Sequence, residues 1–354
     1  MASVARSRWI LVLLLLVAVV AVWRTRRKPP QYAAAYVADR GATLWSTTAQ
    51  VRQPVAMLGY GEKVAVLRRA GDQSEVQTDD GTHGWVDASL LMEPDLWHRS
   101  EDLLAHARSL TVQASGRTRN LSNVHIEPGR DTPRIYQFGR DVPVVVLERK
   151  VLPAPVSPST EKGPGDEPAS TDDGKPKLED WLLVSRAEPP AAATPSPGGA
   201  SPVTGGSTRP GGGLPVAGWV LGRFIDLDPP APLSDYAASA GLRVVGWAVL
   251  NTVPSASGEK PQYVVAATRG GEGQPCDFTA LRIYTWGEQQ QRYETAYAES
   301  DFCGMLPVRV QQTSSGPEFR FAQQDKRIGE RVYVMRQTTV RRVKESESVA
   351  GKKS

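Results

Sequence analysis

The sequence predicts a mainly β protein: an N-terminal transmembrane helix, two small β-barrels and a C-terminal antiparallel β-sandwich-like domain. Three observations carry this prediction. A single apolar run, Trp9–Trp23, lies near the start of the chain. Two later segments repeat the same order of short Val-rich runs and Gly turns, and each ends in Gly-Trp-Val. A third stretch alternates polar and apolar residues between Gly, Ser and Pro clusters, the pattern of half-buried strands. The 354 residues exceed what one core usually fills, so several domains are expected. With 40% hydrophobic and 23% charged residues, most of the chain can bury a core.

The anchor comes first. Trp9–Trp23 contains no charge and no helix breaker, and as a helix it spans about 22 Å, short of the ~30 Å hydrocarbon layer. The two terminal tryptophans suit the two interfaces, and flanking arginines can snorkel to extend the span. Residues 1–30 are therefore assigned to a membrane anchor that holds the membrane through residues 9–23. A cleaved secretory signal is the alternative, with Ala33-Ala34-Ala35 as its small-residue site, but a basic stretch from Arg24 to Lys28 separates the two. Two Lys or Arg precede the run and four come after it, which mildly favours a cytoplasmic body. A basic-then-apolar N-terminus, however, usually exports the chain behind it. The expected localisation is the cell membrane, single-pass, with an extracytoplasmic body.

The anchor also explains the charge. Of 42 Lys and Arg, six lie within residues 1–30, which hold no acid; the remainder carries 36 against 38 Asp and Glu, a net of −2. The body thus offers no electrostatic reason to bind nucleic acid.

The first repeat, residues 36–93, holds Gly61-Glu62-Lys63-Val64, then Gly84-Trp85-Val86, and closes on Leu90-Leu91. Residues 94–110 place Leu96, Leu103, Leu104, Ala107 and Leu110 at helical spacing and are predicted as a linker helix on one barrel. The second repeat, residues 109–228, holds Gly139-Arg140-Asp141-Val142, Trp181-Leu182-Leu183-Val184 and Gly218-Trp219-Val220. Tyr60-Gly61 and Phe138-Gly139 are read as equivalent. Two polar insertions, 151–178 and 187–215, interrupt it; 23 of the 65 residues from Val151 to Pro215 are Pro or Gly, a composition expected to be disordered. The strand Glu179–Arg186 between them ties both loops to one barrel.

These residues resemble the bacterial SH3-type domain, whose members carry a Gly-x-x-Val strand, a Trp-x-x-Val strand and a closing Gly-Trp-Val strand. Two copies are identified by this resemblance, with Gln73 standing in the first where Trp181 stands in the second. The resemblance implies SH3-like barrels and binding to cell-wall peptide or glycan, to peptidoglycan stem peptides or to an envelope protein partner. It also favours export of the body.

The third domain, residues 236–343, offers seven candidate strands, Leu242–Leu250, Gln262–Thr268, Phe278–Trp286, Arg292–Tyr297, Leu306–Gln311, Glu318–Phe321 and Arg331–Arg336, which fit a β-sandwich or one to two blade-like sheets. Residues 344–354 form a solvated, disordered tail. Cys276 and Cys303 are a disulfide candidate, worth roughly 3–4 kcal/mol in the chain-entropy account; two buried thiols are the alternative. A disulfide requires an oxidising compartment.

No catalytic residues are expected: GxSxG, HExxH, P-loop and CxxC patterns do not occur. The four histidines, His83, His98, His106 and His125, lack ligand spacing and are read as exposed and structural, so neither metal nor cofactor is expected. The remaining candidates are aromatic. Tyr60, Trp85, Phe138, Trp181 and Trp219 are expected to form a shallow ligand-binding groove; the alternative is that Trp85 and Trp219 plug their barrels. The chain is thus expected to be a non-enzymatic, membrane-anchored cell-envelope protein with binding modules. A scaffolding or assembly protein with structural barrels, or a cytoplasm-facing membrane-bound sensor, are the alternatives.

Overall fold

The structure is a computed structural model and describes residues 32–155, 177–186 and 215–343. The predicted anchor, the interior of both insertions and the tail lie outside these residues. Among the described residues, no helix is long and apolar enough to cross a membrane. The described chain is mainly β, in three antiparallel seven-stranded sheets.

The first sheet comprises β1 (Ala33–Val37), β2 (Ala42–Trp45), β3 (Pro54–Leu58), β4 (Lys63–Ala70), β5 (Gln73–Thr78), β6 (His83–Asp87) and β7 (Leu91–Met92). The second comprises β8 (Ala114–Thr118), β9 (Ser122–His125), β10 (Arg134–Phe138), β11 (Pro143–Pro153), β12 (Leu178–Arg186), β13 (Ala217–Leu221) and β14 (Ile225–Leu227). Their strand orders, β3-β2-β6-β5-β4-β1-β7 and β10-β9-β13-β12-β11-β8-β14, are the same order shifted by seven strands. Each has a short 3-10 turn before its last strand, Ala88–Leu90 or Gly222–Phe224. The repeat read from the sequence is therefore a repeat of topology. Register supports it to the residue: Gln73 lies two positions from the partner of Trp85, and Trp181 two from the partner of Trp219.

One equivalence needs correction. Tyr60-Gly61 does not correspond to Phe138-Gly139. The backbone N–H of Gly61 donates to Val37 O, and that of Asp141 donates to Thr118 O, at the same point of the two sheets. Both residues are left-handed, with φ of 74° and 59°. The first copy meets this requirement with glycine and the second with aspartate, one of the few side chains that tolerate it. Phe138 thus corresponds to Leu58, and both are core residues.

The first insertion is shorter than predicted. Strand β11 runs on to Pro153 and pairs from there with Leu178, the first residue of β12, so residues 151–153 and 178 belong to the sheet.

Helix α1 (Pro94–Ser109) starts with Pro in its first turn, where the missing N–H is no loss. It packs on both the first and the second sheet, where one barrel was expected. Leu96 and Trp97 meet the seam between them, with Trp97 stacked on Tyr36 at 5.0 Å. Leu104 and Ala107 cover the second sheet. At the seam, Ala38 and Met92 of the first unit share a core with Ile135, Tyr136 and Phe138 of the second.

Helix α2 (Ala231–Ser239) leads into the third sheet: β15 (Arg243–Val253), β16 (Lys260–Thr268), β17 (Phe278–Gly287), β18 (Arg292–Thr313), β19 (Gly316–Gln323), β20 (Glu330–Arg336) and β21 (Thr339–Val343). Its order is sequential, an up-and-down meander in one sheet. Of the expected arrangements, a β-sandwich or one to two blade-like sheets, the seven strands form one sheet, not a sandwich of two. The two predicted strands Arg292–Tyr297 and Leu306–Gln311 are the two halves of β18. That strand pairs with β17 through its first half and with β19 through its second, bending around Asp301 and a register shift between Met305 and Arg309. Phe278, Phe319, Phe321 and Tyr333 pack together on one face of the sheet, and α2 covers the other face through Leu233 and Ala237.

Candidate functional site

The five aromatic residues expected to line a groove do not meet on the surface. Phe138 is fully buried. Trp181 and Trp219 are 3% and 4% exposed and lie on the outer face of β12 and β13, under α1. Trp85 is also buried, with the Arg68 guanidinium 4.8 Å from its ring centre. Lys150 lies 4.7 Å from Trp219 in the same way. Nor do these indoles plug the barrels: strand alternation turns their neighbours Val86 and Val220 into the two interiors. Tyr60 packs edge-on against Trp97 and Tyr136 at the seam, where burial pushes its hydroxyl up to about 12. One histidine also departs from expectation. His125 is buried, its Nδ1 2.8 Å from Thr132 O and its ring edge-on to Trp181. Among the described residues, no group of three His, Cys, Asp or Glu is placed to hold a metal.

A deep concavity lies elsewhere among the described residues, between the second sheet, α2 and the third sheet. It is a cleft of about 640 Å³, within the range of small-ligand sites. Apolar walls come from Val146, Leu182, Ile225, Leu242, Val244 and Leu306. Its floor is an ionic staple. Arg149, on β11 just after a register shift that re-aims the strand, places Nη1 2.6 Å from Asp277 Oδ1 and Nη2 2.7 Å from Asp180 Oδ1. The same Nη2 donates to Gln274 O at 2.9 Å. All three side chains are nearly buried, at 10%, 12% and 5% exposure for Arg149, Asp180 and Asp277. Burial pushes the Asp277 carboxyl up, against the Leu306 N–H and Arg149, which pull it down.

Several features fix this floor. Gly273 N–H donates to Asp180 Oδ1 at 2.9 Å, and Leu306 N–H to Asp277 Oδ2 at 2.8 Å. Gly273 has φ of 74°, and a Cβ there would come within 2.6 Å of Leu178, so the loop seats against β12 only as glycine. Cys276, beside Asp277, is joined to Cys303 of β18 in a disulfide. At the rim, Arg119 forks onto Asp226 with Nε 3.1 and 3.2 Å from its two oxygens. Arg223 reaches Glu179 at 3.1 Å, a carboxylate that also takes Arg130 Nε at 3.0 Å.

One polar group in the wall has no partner. Gln113, 4% exposed, gives its Nε2 to Leu147 O, while its Oε1 accepts no hydrogen bond among the described residues. Buried acceptors left unmatched are rare and costly.

Sequence reasoning missed this site. The signals were an arginine within the Val-rich strand 143–153, the acidic pair Glu179-Asp180 ahead of a buried Trp181, and an aspartate next to a paired cysteine. Each reads as an ordinary surface charge until the fold brings it to one seam.

No family model matches the chain, and no curated protein matches it. Among solved structures it is similar to NlpC2 from Trichomonas vaginalis at 9% identity, over 77% of this chain and 97% of that one. The TM-score of 0.17 is too low for that likeness to carry an argument.

Proposed function

We propose that this chain is a non-enzymatic, membrane-anchored envelope protein that binds a ligand in the cleft between its second SH3-like barrel and its third sheet. Residues 9–23 tether it, and the body stands outside the cytoplasm, where Cys276 and Cys303 find the oxidising conditions a disulfide needs. The ligand is cell-wall peptide or glycan, or an envelope protein segment. The observation that carries this reading is the cleft's chemistry. Its strongest charges are satisfied by one another, Arg149 by Asp180 and Asp277 and Arg119 by Asp226, which suits holding a guest better than transferring protons. A preformed hollow with apolar patches in its walls and one unmatched acceptor is suited to binding.

The test uses the full chain in detergent micelles and purified cell-wall sacculi. Salt-resistant retention is expected. It is lost in Ala238→Trp, an exposed α2 position on the cleft wall, and kept in Trp85→Phe, far from the cleft. Clean flow-through of the unmodified protein would overturn the wall-binding reading. A second reading, a scaffold that docks proteins, rests on edge strand β3, where Val55 and Met57 are 45% and 68% exposed next to Val51 at 92%. Polypeptides that co-purify with the native chain but not with Met57→Lys favour that reading.

A further inference from the structure

We propose that the guest of this cleft is an extended polypeptide segment, taken up as an added β-strand along the free edge of β15. The inference rests on the cleft being the binding site. It adds what the site recognises, a peptide backbone.

Two sheet edges meet in the cleft. β14 is the last strand of the second sheet and β15 the first of the third, so each lacks a strand neighbour on one side. Ile225–Leu227 of β14 and Arg243–Val245 of β15 both line the hollow. Unpaired edges of this kind are templates for another chain.

The edge of β15 already shows the chemistry at one point. Trp247 N–H donates to Gln113 O at 3.0 Å, a single rung of the ladder an added strand would make. Gly246 allows the approach, since a Cβ there would stand 3.1 Å from that carbonyl. Residue 113 then turns away, its own N–H going to Val146 O at 2.9 Å. Arg243–Val245, beyond a register shift between Val244 and Gly246, are thus left beside the hollow with no strand neighbour on this side.

The side chain of Gln113 points to the same guest. Its buried Oε1 needs an N–H donor, and a peptide backbone supplies one at every residue but proline.

The test uses the full chain in detergent micelles and, as probe, a fluorescein-labelled, amidated hexapeptide of alternating valine and threonine. Saturable binding is expected. Affinity falls at least tenfold when the probe is N-methylated at alternate residues, a change that removes donors and keeps side chains. It falls at least tenfold for Gln113→Met and for Ala238→Trp; should Gln113→Met fail to fold by circular dichroism, Ala238→Trp carries the comparison. On addition of the parent probe, backbone amides within residues 243–245 exchange at least tenfold more slowly. Equal binding of the parent and N-methylated probes, or unchanged exchange at 243–245, overturns the added strand. No saturable binding of the probe while sacculi are still retained also overturns it and leaves the cleft reading standing. Loss of both removes the cleft reading and the inference with it.

Discussion

The glycine of each Gly-Trp-Val triplet is there for lack of space. A Cβ on Gly218 would come within 2.4 Å of Val124 Cγ1 and 2.9 Å of His125 O; on Gly84 it would meet Trp45 O at 2.7 Å. Strands β13 and β6 cross close to β9 and β2 at these points, each through a single bridge. Gly218→Ala should therefore cost about 1–3 kcal/mol by overpacking, read as a lower denaturant midpoint with unchanged slope. Glu179 makes a second prediction at this scale. Its side chain is 3% exposed, and the Arg130 guanidinium holds its carboxyl below the ordinary 4.5, with Arg223 adding to the pull. A carboxyl depressed in the folded state contributes stability above its unfolded pKa, and that contribution is lost as pH falls through the folded value. Glu179→Gln should thus cost about 1–3 kcal/mol at pH 7 and progressively less below pH 4.5, measured by urea unfolding across that range.

Among elements, β11 and β12 join the second sheet to the third, and Arg149 is the joint. Arg149→Met leaves Asp180 and Asp277 buried without their cation and should cost about 3–5 kcal/mol. Asp277→Asn should cost less. Burial already favours its neutral form, and an amide oxygen still accepts the Leu306 N–H. Since Asp277 is raised above the ordinary 3.8, its ionisation opposes folding as pH rises through the folded value, the reverse of Glu179. Equal losses for the two variants in calorimetric melts would contradict this account. The elements differ sharply in how legible they were. Val64 and Val66 lie in the Val-rich run of β4 and Val86 in the Gly-Trp-Val run of β6, so these two strands could be read from the sequence. The break expected near Asp301 lies within one continuous strand, β18, because a bent strand and two short strands leave the same pattern in sequence. The aromatic groove failed for a related reason. Periodicity says that Trp181 and Trp219 face away from Val184 and Val220, but not that α1 covers that face.

For the molecule as a whole, the parts are less separate than two barrels and a third domain on a string. One core runs across the seam between the first two sheets, α1 wedges into it, and the Arg149 cluster clamps the third sheet to the second. The Cys276–Cys303 disulfide, 27 residues apart in sequence, locks the loop that carries Asp277 to β18. Reduction should therefore act on the clamp as well as on the third sheet, lowering stability by about 3–4 kcal/mol and loosening the cleft floor. The same bond reports where the body stands, because cytosolic thiols stay reduced. In cells expressing the full chain, a membrane-impermeant thiol reagent should label neither cysteine before reduction. After mild reduction with an impermeant reductant, both should be labelled in intact cells, since the bond sits beside the cleft wall that Cys276 lines. Labelling that requires opened cells, with no prior reduction, would place the body in the cytoplasm. It would also take away the compartment on which wall binding depends, whatever the cleft holds in vitro.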